Sequence, residues 1–417
     1  MSRFIFFYLI LLLSLSEARL LTLDECIDKS LKNHPDIKKA SLEILRSTEA
    51  TKEAKSAYLP QINATAQYAP VNTFVLPQNG TFNTLEDTFW QTSASLNQKI
   101  YDFGKTASIV EAYEKAAQKD AFNLEDAKAL LIYKVKSYYN LALLQQHTLK
   151  SRQMDLQTKE ELYKQALAFV KEGVKTEADS ASFESSYYIA LEELENTKAE
   201  FQKAFSSLLL YMGEKIQDGA VAELSDTEQN ILSRDETLDQ AISQNLSLKA
   251  LESEVKSMEH SYEASKFAHY GSLDAYAAYS YQNSLNEYDT TQAGITLTIP
   301  LYTGGALSAK TEQSRIIKES AKSSYDAKKL ALEEQTQNLL LDLKKYEAAA
   351  KSKKATINAS SVAKNIVDAR YKEGLATYIE VLDANTKYLN AKMSLEFNDF
   401  NIRDTRNQLD YIQGRSE

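Results

Sequence analysis

The side chains that could do chemistry are few. There are four histidines, His34, His147, His260 and His269, and one cysteine, Cys26. That inventory leaves little for a histidine-based metal site and excludes a disulfide framework or thiolate cluster. There is no HExxH, no GxSxG and no Gly-rich phosphate loop. Carboxylates are plentiful but sit among lysines, as on solvated helix faces. No catalytic, cofactor or metal site is assigned, and an enzyme is not expected. Two spacings remain. Glu380 and Asp383 lie three apart and share one helix face, which by itself also fits an ordinary exposed pair. Gly173 precedes Thr176, and Gly374 precedes Thr377, by three. Glycine takes the positive φ that ends a helix and threonine caps the next one, so both read as helix–helix turns. The formal net charge is -10 and no basic stripe appears, which argues against a nucleic-acid partner.

The elements around these residues follow from composition. The 417 residues include 11 glycines and 5 prolines, where average usage would give about 50 of the two together. No Gly or Pro lies between Lys105 and Glu172 or between Ala306 and Glu373. Each stretch predicts a helix of roughly 100 Å at 1.5 Å per residue. Shorter helices are expected from about Thr176 to Met212 and from Thr377 to Gln413. In the first long stretch apolar residues recur every seven. One seam is Val110, Ala117, Leu124, Leu131 and Tyr138, and another runs from Val135 through Ala142 to Val170. Such heptads imply coiled-coil packing.

The chain is also a tandem repeat. Leu23 to Ile27 matches Leu238 to Ile242, which places Cys26 opposite Ala241 as a small core residue. Ile37 to Tyr68 matches Leu248 to Tyr279 at a shift of 211. From Leu96 to Gly213 the shift holds at 201, so Lys171-Glu172-Gly173 falls on Lys372-Glu373-Gly374. A spacing held that far without insertion marks a length under physical constraint. Expected boundaries are residues 1–18, then a first repeat over 19–213, a linker over 214–235, and a second repeat over 236–417.

Four segments alternate with period two and predict strands at about 59–69, 89–102, 270–282 and 290–301. Ile62, Ala64, Ala66 and Tyr68 share one face, as do Trp90, Ala94, Leu96 and Ile100. The second half offers Leu273, Ala275, Ala277, Tyr279 and Tyr281, then Ala293, Ile295, Leu297 and Ile299. The opposite faces are polar and mostly uncharged. Each half thus holds one hairpin, connected through 69–88 or 282–289. Arg3 followed by the apolar run Phe4 to Leu13, with small residues at Ser16 and Ala18, reads as an export signal. Cys26 is no lipidation site, because Leu23-Asp24-Glu25 lacks the small residues such processing uses. An exported chain with apolar-out strands suggests an outer-membrane barrel, closed only by several copies. A small soluble sheet capping a helical bundle stays open as the other reading.

The residues quoted above, together with Asn33-His34-Pro35-Asp36-Ile37 and Ile299-Pro300-Leu301-Tyr302-Thr303-Gly304-Gly305, resemble the TolC-type outer-membrane exit-duct family over the whole mature chain. The resemblance implies a mixed α and β fold. A homotrimer would form a twelve-stranded barrel, four strands per chain, continuous with a periplasmic α-helical barrel. Residues about 19–35 and 214–247 would form an equatorial belt. It also implies a passive channel in the outer membrane of a Gram-negative bacterium, working in tripartite efflux or type I secretion. Its partners would be a periplasmic adaptor, an inner-membrane transporter and outer-membrane lipid. By resemblance the turns at Gly173, Thr176, Gly374 and Thr377 dock the adaptor. Glu380 and Asp383 line the entrance as a cation-selective ring. Tyr371 and Asp179 match two of three gate residues, and Tyr371→Phe with Asp179→Ala is expected to raise conductance. The third gate position, an arginine, is Ala376 here, and Lys175 is the candidate substitute. The rival is a periplasmic coiled-coil adaptor or tether without a pore. An adaptor would carry one hairpin flanked by β-rich modules, whereas this chain has two equal halves.

Overall fold

The computed structural model describes residues 19–75, 83–215, 218–224, 233–283 and 287–415, with side chains described except at 19, 70–75 and 83–89. The expected export signal, the centre of the first hairpin connection, part of the second and parts of the linker lie outside these residues.

The element order is the same twice over. A short strand β1 (Arg19–Leu21) leads into helices α1 (Leu23–Asn33) and α2 (Pro35–Ser56), strands β2 (Gln61–Val75) and β3 (Asn83–Tyr101), then helices α3 (Lys105–Lys171) and α4 (Glu177–Tyr211). The second half runs β4 (Gly219–Val221), α5 (Arg234–Gln244), α6 (Leu246–Phe267), β5 (Ser272–Gln282), β6 (Tyr288–Thr298), α7 (Ala306–Lys372) and α8 (Tyr378–Ile412). Corresponding helices have equal lengths, 11, 22, 67 and 35 residues in each half. The long helices start alike. Asp102 Oδ2 accepts from the Thr106 amide at 2.9 Å, and at the equivalent place Thr303 Oγ1 accepts from the Leu307 amide at 3.4 Å. Both starts pass through left-handed backbone. The second half uses Gly304 and Gly305, and the first keeps Phe103 at φ 59 before Gly104.

The chain forms two compact units. One comprises Lys38–Asp126 and Leu246–Ala331 and holds a four-stranded antiparallel sheet in the order β2-β3-β5-β6. Its register lines up the four apolar faces. Ile62 pairs with Leu96, Leu96 with Ala277, and Ala277 with Ala293. Ala64, Ala94 and Tyr279 form the next row. The apolar face stays open, with Ile62, Tyr68 and Ile295 each at least 70% exposed. On the other face Tyr276 lies over Gly294, its register partner, where a side chain would meet the ring at 3.0 Å. The first hairpin is longer than its alternation predicts. β2 and β3 pair as far as Val75–Asn83, through Pro70. An edge strand tolerates a proline, and ladder pairing supplied by the partner strand carries the extension.

The other unit comprises Met1–Ile37, Ala127–Asn245 and Leu332–Glu417. Its main core joins Leu131, Val135, Ala142 and Leu143 of α3 to Leu208 and Leu209 of α4, with Leu21, Cys26 and Val221. A leucine buried this way contributes about 1.5–3 kcal/mol. Cys26 is fully buried, as its pairing with Ala241 requires. β1 and β4 pair in parallel, a contact that three-residue strands do not announce in sequence. The two halves share one junction. Asn33 Nδ2 donates to Met212 O beyond α4, and Asn245 Nδ2 donates to Ile412 O at the end of α8, both at 3.0 Å. Among the described residues no helix is long and apolar enough to cross a membrane.

Gly271, just before β5, has φ +89, and a Cβ there would stand 1.9 Å from the Thr298 carbonyl oxygen. Gly374 has φ +74 and open space around it. Gly271→Ala is expected to cost roughly 3 kcal/mol or more through a backbone clash, and Gly374→Ala about 1–2 kcal/mol from φ alone. Thermal unfolding of the two purified variants checks the order.

Candidate functional site

The turns between the paired helices bring the candidate residues together, all within the second unit described above. α3 ends in a Schellman turn. The Gly173 amide donates to Val170 O at 3.0 Å and the Val174 amide to Phe169 O at 2.9 Å. The α7 turn repeats it, from Gly374 to Tyr371 O at 3.0 Å and from Leu375 to Arg370 O at 2.8 Å. Gly173 and Gly374 take φ +73 and +74, the conformation this turn needs. Val174 and Leu375, next in line, are exposed apolar side chains at equivalent positions.

Each turn then opens a helix with a capping box. The Thr176 amide and hydroxyl donate to Asp179 Oδ2 at 3.1 and 3.0 Å, and the Asp179 amide returns a bond to Thr176 Oγ1 at 3.3 Å. The Thr377 amide and hydroxyl donate to Glu380 Oε2 at 2.7 and 2.9 Å, and the Glu380 amide donates to Thr377 Oγ1 at 3.3 Å. Asp179 and Glu380 therefore hold one structural place in the two halves. The spacing Thr-x-x-Asp/Glu announces this box, a signal that the reading of Asp179 as a gate residue and Glu380 as a ring residue passed over. The bonds from the Thr377 amide, then from its hydroxyl, hold the Glu380 carboxyl below its ordinary value. Asp383, one turn on, pairs with Lys387 at 2.7 Å on the exposed surface.

Tyr371 is the centre of a small core with Leu162, Ala166, Phe183, Ala376 and Val381. Its ring meets Phe183 edge-on at 5.5 Å and Phe169 at 5.9 Å. The hydroxyl is buried without a hydrogen-bond partner among the described residues, so Tyr371 and Asp179 are not joined by one. Burial, and then the nearby Asp179 charge, push the phenol up. Ala376 fills the core where the expected arginine would stand. Lys175 crosses from the other turn. Its Nζ lies 5.7 Å from the centre of the Tyr371 ring and donates to Ala376 O at 3.4 Å. Phe169 and Phe183 were not singled out in the sequence, although they supply most of the ring contacts. Among the described residues no cluster of His, Cys, Asp and Glu could hold a metal ion.

Two tandem halves, an open apolar sheet and paired helices ending in matched turns define a channel-forming protein of the outer membrane. The family model for outer membrane efflux proteins matches residues 26–214 and 237–415, and the chain belongs to that family. The outer membrane protein TolC of Vibrio cholerae is 23% identical over 395 residues, 89% of this chain and 86% of that one. The proteases secretion protein PrtF of Dickeya chrysanthemi is 22% identical, covering 93% and 86%. Among solved structures, the outer membrane protein VceC of Vibrio cholerae superposes with a TM-score of 0.83 at 15% identity, over 94% of this chain and 96% of that one. The CmeC outer membrane channel of Campylobacter jejuni gives 0.83 at 15%, over 95% and 87%. The chain has the fold of these outer-membrane proteins, resides in the outer membrane and serves as an exit channel for efflux or secretion.

Removing either cap hydroxyl leaves helix-start amides unsatisfied. Thr176→Ala and Thr377→Ala should each lose about 1 kcal/mol locally, seen as faster hydrogen exchange at 177–183 or 378–384. Because the Glu380 pKa is depressed, its contribution is present above the ordinary glutamate value near 4.3 and is lost only as pH falls through the lower folded value. Exchange at 378–384 that rises already at pH 6 would contradict this.

Proposed function

We propose that three copies join their sheets edge to edge into a twelve-stranded barrel across the outer membrane, and that the long helices form a conduit into the periplasm. The observation that carries this is the sheet. Its four strands share one continuous exposed apolar face, and β2 and β6 each have a single strand neighbour among the described residues. Lipid tolerates the face but not unpaired edges, so closure by further copies satisfies both demands. A tether without a pore would have no use for such a face in water. The channel is passive. An inner-membrane transporter supplies the energy and selects the cargo, whether drug, metal ion, peptide or protein, and a periplasmic adaptor docks on the turns at Gly173, Thr176, Gly374 and Thr377. No catalytic step and no cofactor is assigned to the chain.

At the entrance, Glu380 and Asp383 from three copies would converge six carboxylates. Carboxylates are ionised at neutral pH, and a ring of this sign concentrates cations over anions. The gate is read as ring packing. Tyr371 wedges between Phe169 and Phe183, Lys175 covers its face, and Asp179 acts through the capping box.

The barrel is tested with one lysine on each face of β6. Ile295→Lys places a charge toward lipid, at about 2–4 kcal/mol per copy near the bilayer midplane and less toward its edges. It should abolish heat-resistant trimers in the outer-membrane fraction, whereas Thr296→Lys on the polar face should retain them. The opposite pattern would sink the barrel. The entrance is tested by conductance in planar bilayers. Glu380→Gln with Asp383→Asn should lose cation selectivity and block by multivalent cations. Tyr371→Ala should raise conductance, and Tyr371→Phe, which keeps the ring, should not. Unchanged selectivity removes the ring assignment, and equal effects of Ala and Phe remove the packing gate.

A further inference from the structure

His147 on α3 has a carboxylate on each ring nitrogen. Its Nδ1 stands 2.7 Å from Glu396 Oε2 on α8, and its Nε2 stands 2.8 and 3.0 Å from the two oxygens of Glu223, just after β4. A neutral imidazole has one donor and one acceptor, so it can satisfy only one of two carboxylates and turns a lone pair toward the other. With both protonated, the ring donates to each. The site is half-buried at His147 and Glu396 and open at Glu223.

The neighbouring contacts show what the ring fastens. Gln146 binds the β4 backbone with both ends of its amide, donating to Val221 O at 3.1 Å and accepting from the Val221 amide at 3.0 Å. The Tyr139 hydroxyl lies 3.0 Å from Leu21 O and 2.7 Å from Ala222 O. The β1–β4 pair is therefore laced to one side of α3 by three successive polar side chains, and His147 alone also reaches α8.

We propose that His147 is a proton-operated clamp: as the imidazolium it ties the segment after β4 and helix α8 to α3, and on losing its proton it keeps the half-buried Glu396 and releases the exposed Glu223. The charged groups facing it are Glu396 from α8 and Glu223 from the β4 segment. Lys392 and Arg403 of α8 act on Glu396 in turn, and Glu223 also faces Tyr139. The hydrogen bond to Glu396 is the largest influence holding the His147 pKa above its ordinary value, with Glu223 adding to it and burial opposing. The same bond holds Glu396 below its own ordinary value, so the two partners agree in direction. A raised histidine pKa means that the clamp is fully closed below about 6.5 and opens as pH rises through the folded value. Acid tightens this belt and alkali loosens it, the reverse of the Glu380 cap.

The test is hydrogen exchange of the amides at 219–224 in the full-length purified protein, from pH 6 to 9, corrected for the intrinsic pH dependence of exchange. Wild-type protection should fall with rising pH, by at most about tenfold for each unit by which the His147 pKa exceeds that of free histidine, because opening this segment breaks only the Glu223 contact. His147→Gln should show low protection without that pH dependence. His147→Arg, which stays charged, should hold its protection across the range. Glu396→Gln, which leaves the ring in place, should shift the loss to lower pH. A flat wild-type profile overturns the clamp, and so does a wild-type slope retained in His147→Gln. The flat-profile outcome needs no variant, and Glu396→Gln tests the source of a slope if His147→Gln fails to fold.

Discussion

A helix whose buried seam packs on its neighbours cannot change length without losing that seam, and that demand organises this chain. Each half has helices of 11, 22, 67 and 35 residues in the same order. An extra residue within a 67-residue helix would rotate everything beyond it by about 100° and move its buried seam off the neighbour. The strands are under no such demand. The first hairpin runs to 15 and 19 residues and the second to 11 and 11, because a hairpin can grow at its free end without disturbing its base. The equal helices and unequal hairpins thus follow from one rule, that length is fixed where two elements must stay in register and loose where one end is open.

That rule also decides what could be read from the residues alone. The long helices were legible almost to the residue. A stretch free of Gly and Pro predicts a helix, and the Gly that closes it has positive φ, so punctuation and geometry coincide at Lys171 and Lys372. The strand faces were legible because alternation is a local property. Their ends were not, since Pro70 reads as a break while ladder pairing with β3 carries β2 on to Val75. β1 and β4 escaped notice for the same reason. Three residues hold no period, and they become strands only because they meet each other and the side chains of Tyr139 and Gln146. At the turns, Thr176 and Thr377 were legible as caps. The acids three residues later were read for their charge, and their capping role went unseen. His147 looked like one of four scattered histidines because its partners stand 76 and 249 residues away.

The repeat supplies an internal control on the functional reading of the turns. Where both halves carry the same chemistry, turn formation is a sufficient reason for it. The glycines, the threonine caps and the capping acids Asp179 and Glu380 all fall in that class. Several positions break the repeat, three candidate positions among them. Val170 stands opposite Tyr371, Lys175 opposite Ala376, and Ser182 opposite Asp383. Two of these breaks touch one another, for Lys175 lies over the Tyr371 ring and reaches the Ala376 carbonyl. Neither half alone could make that contact, since it needs the lysine of one turn and the aromatic ring of the other. Turn chemistry gives no account of Asp383 either, because the α4 helix starts equally well with Ser182 in its place. The candidate residues that turn formation leaves unaccounted for are therefore Tyr371, Lys175 and Asp383. Glu380 differs from them in doing two things at once. Its carboxylate closes the helix start, and the same carboxylate is the one proposed for the entrance ring.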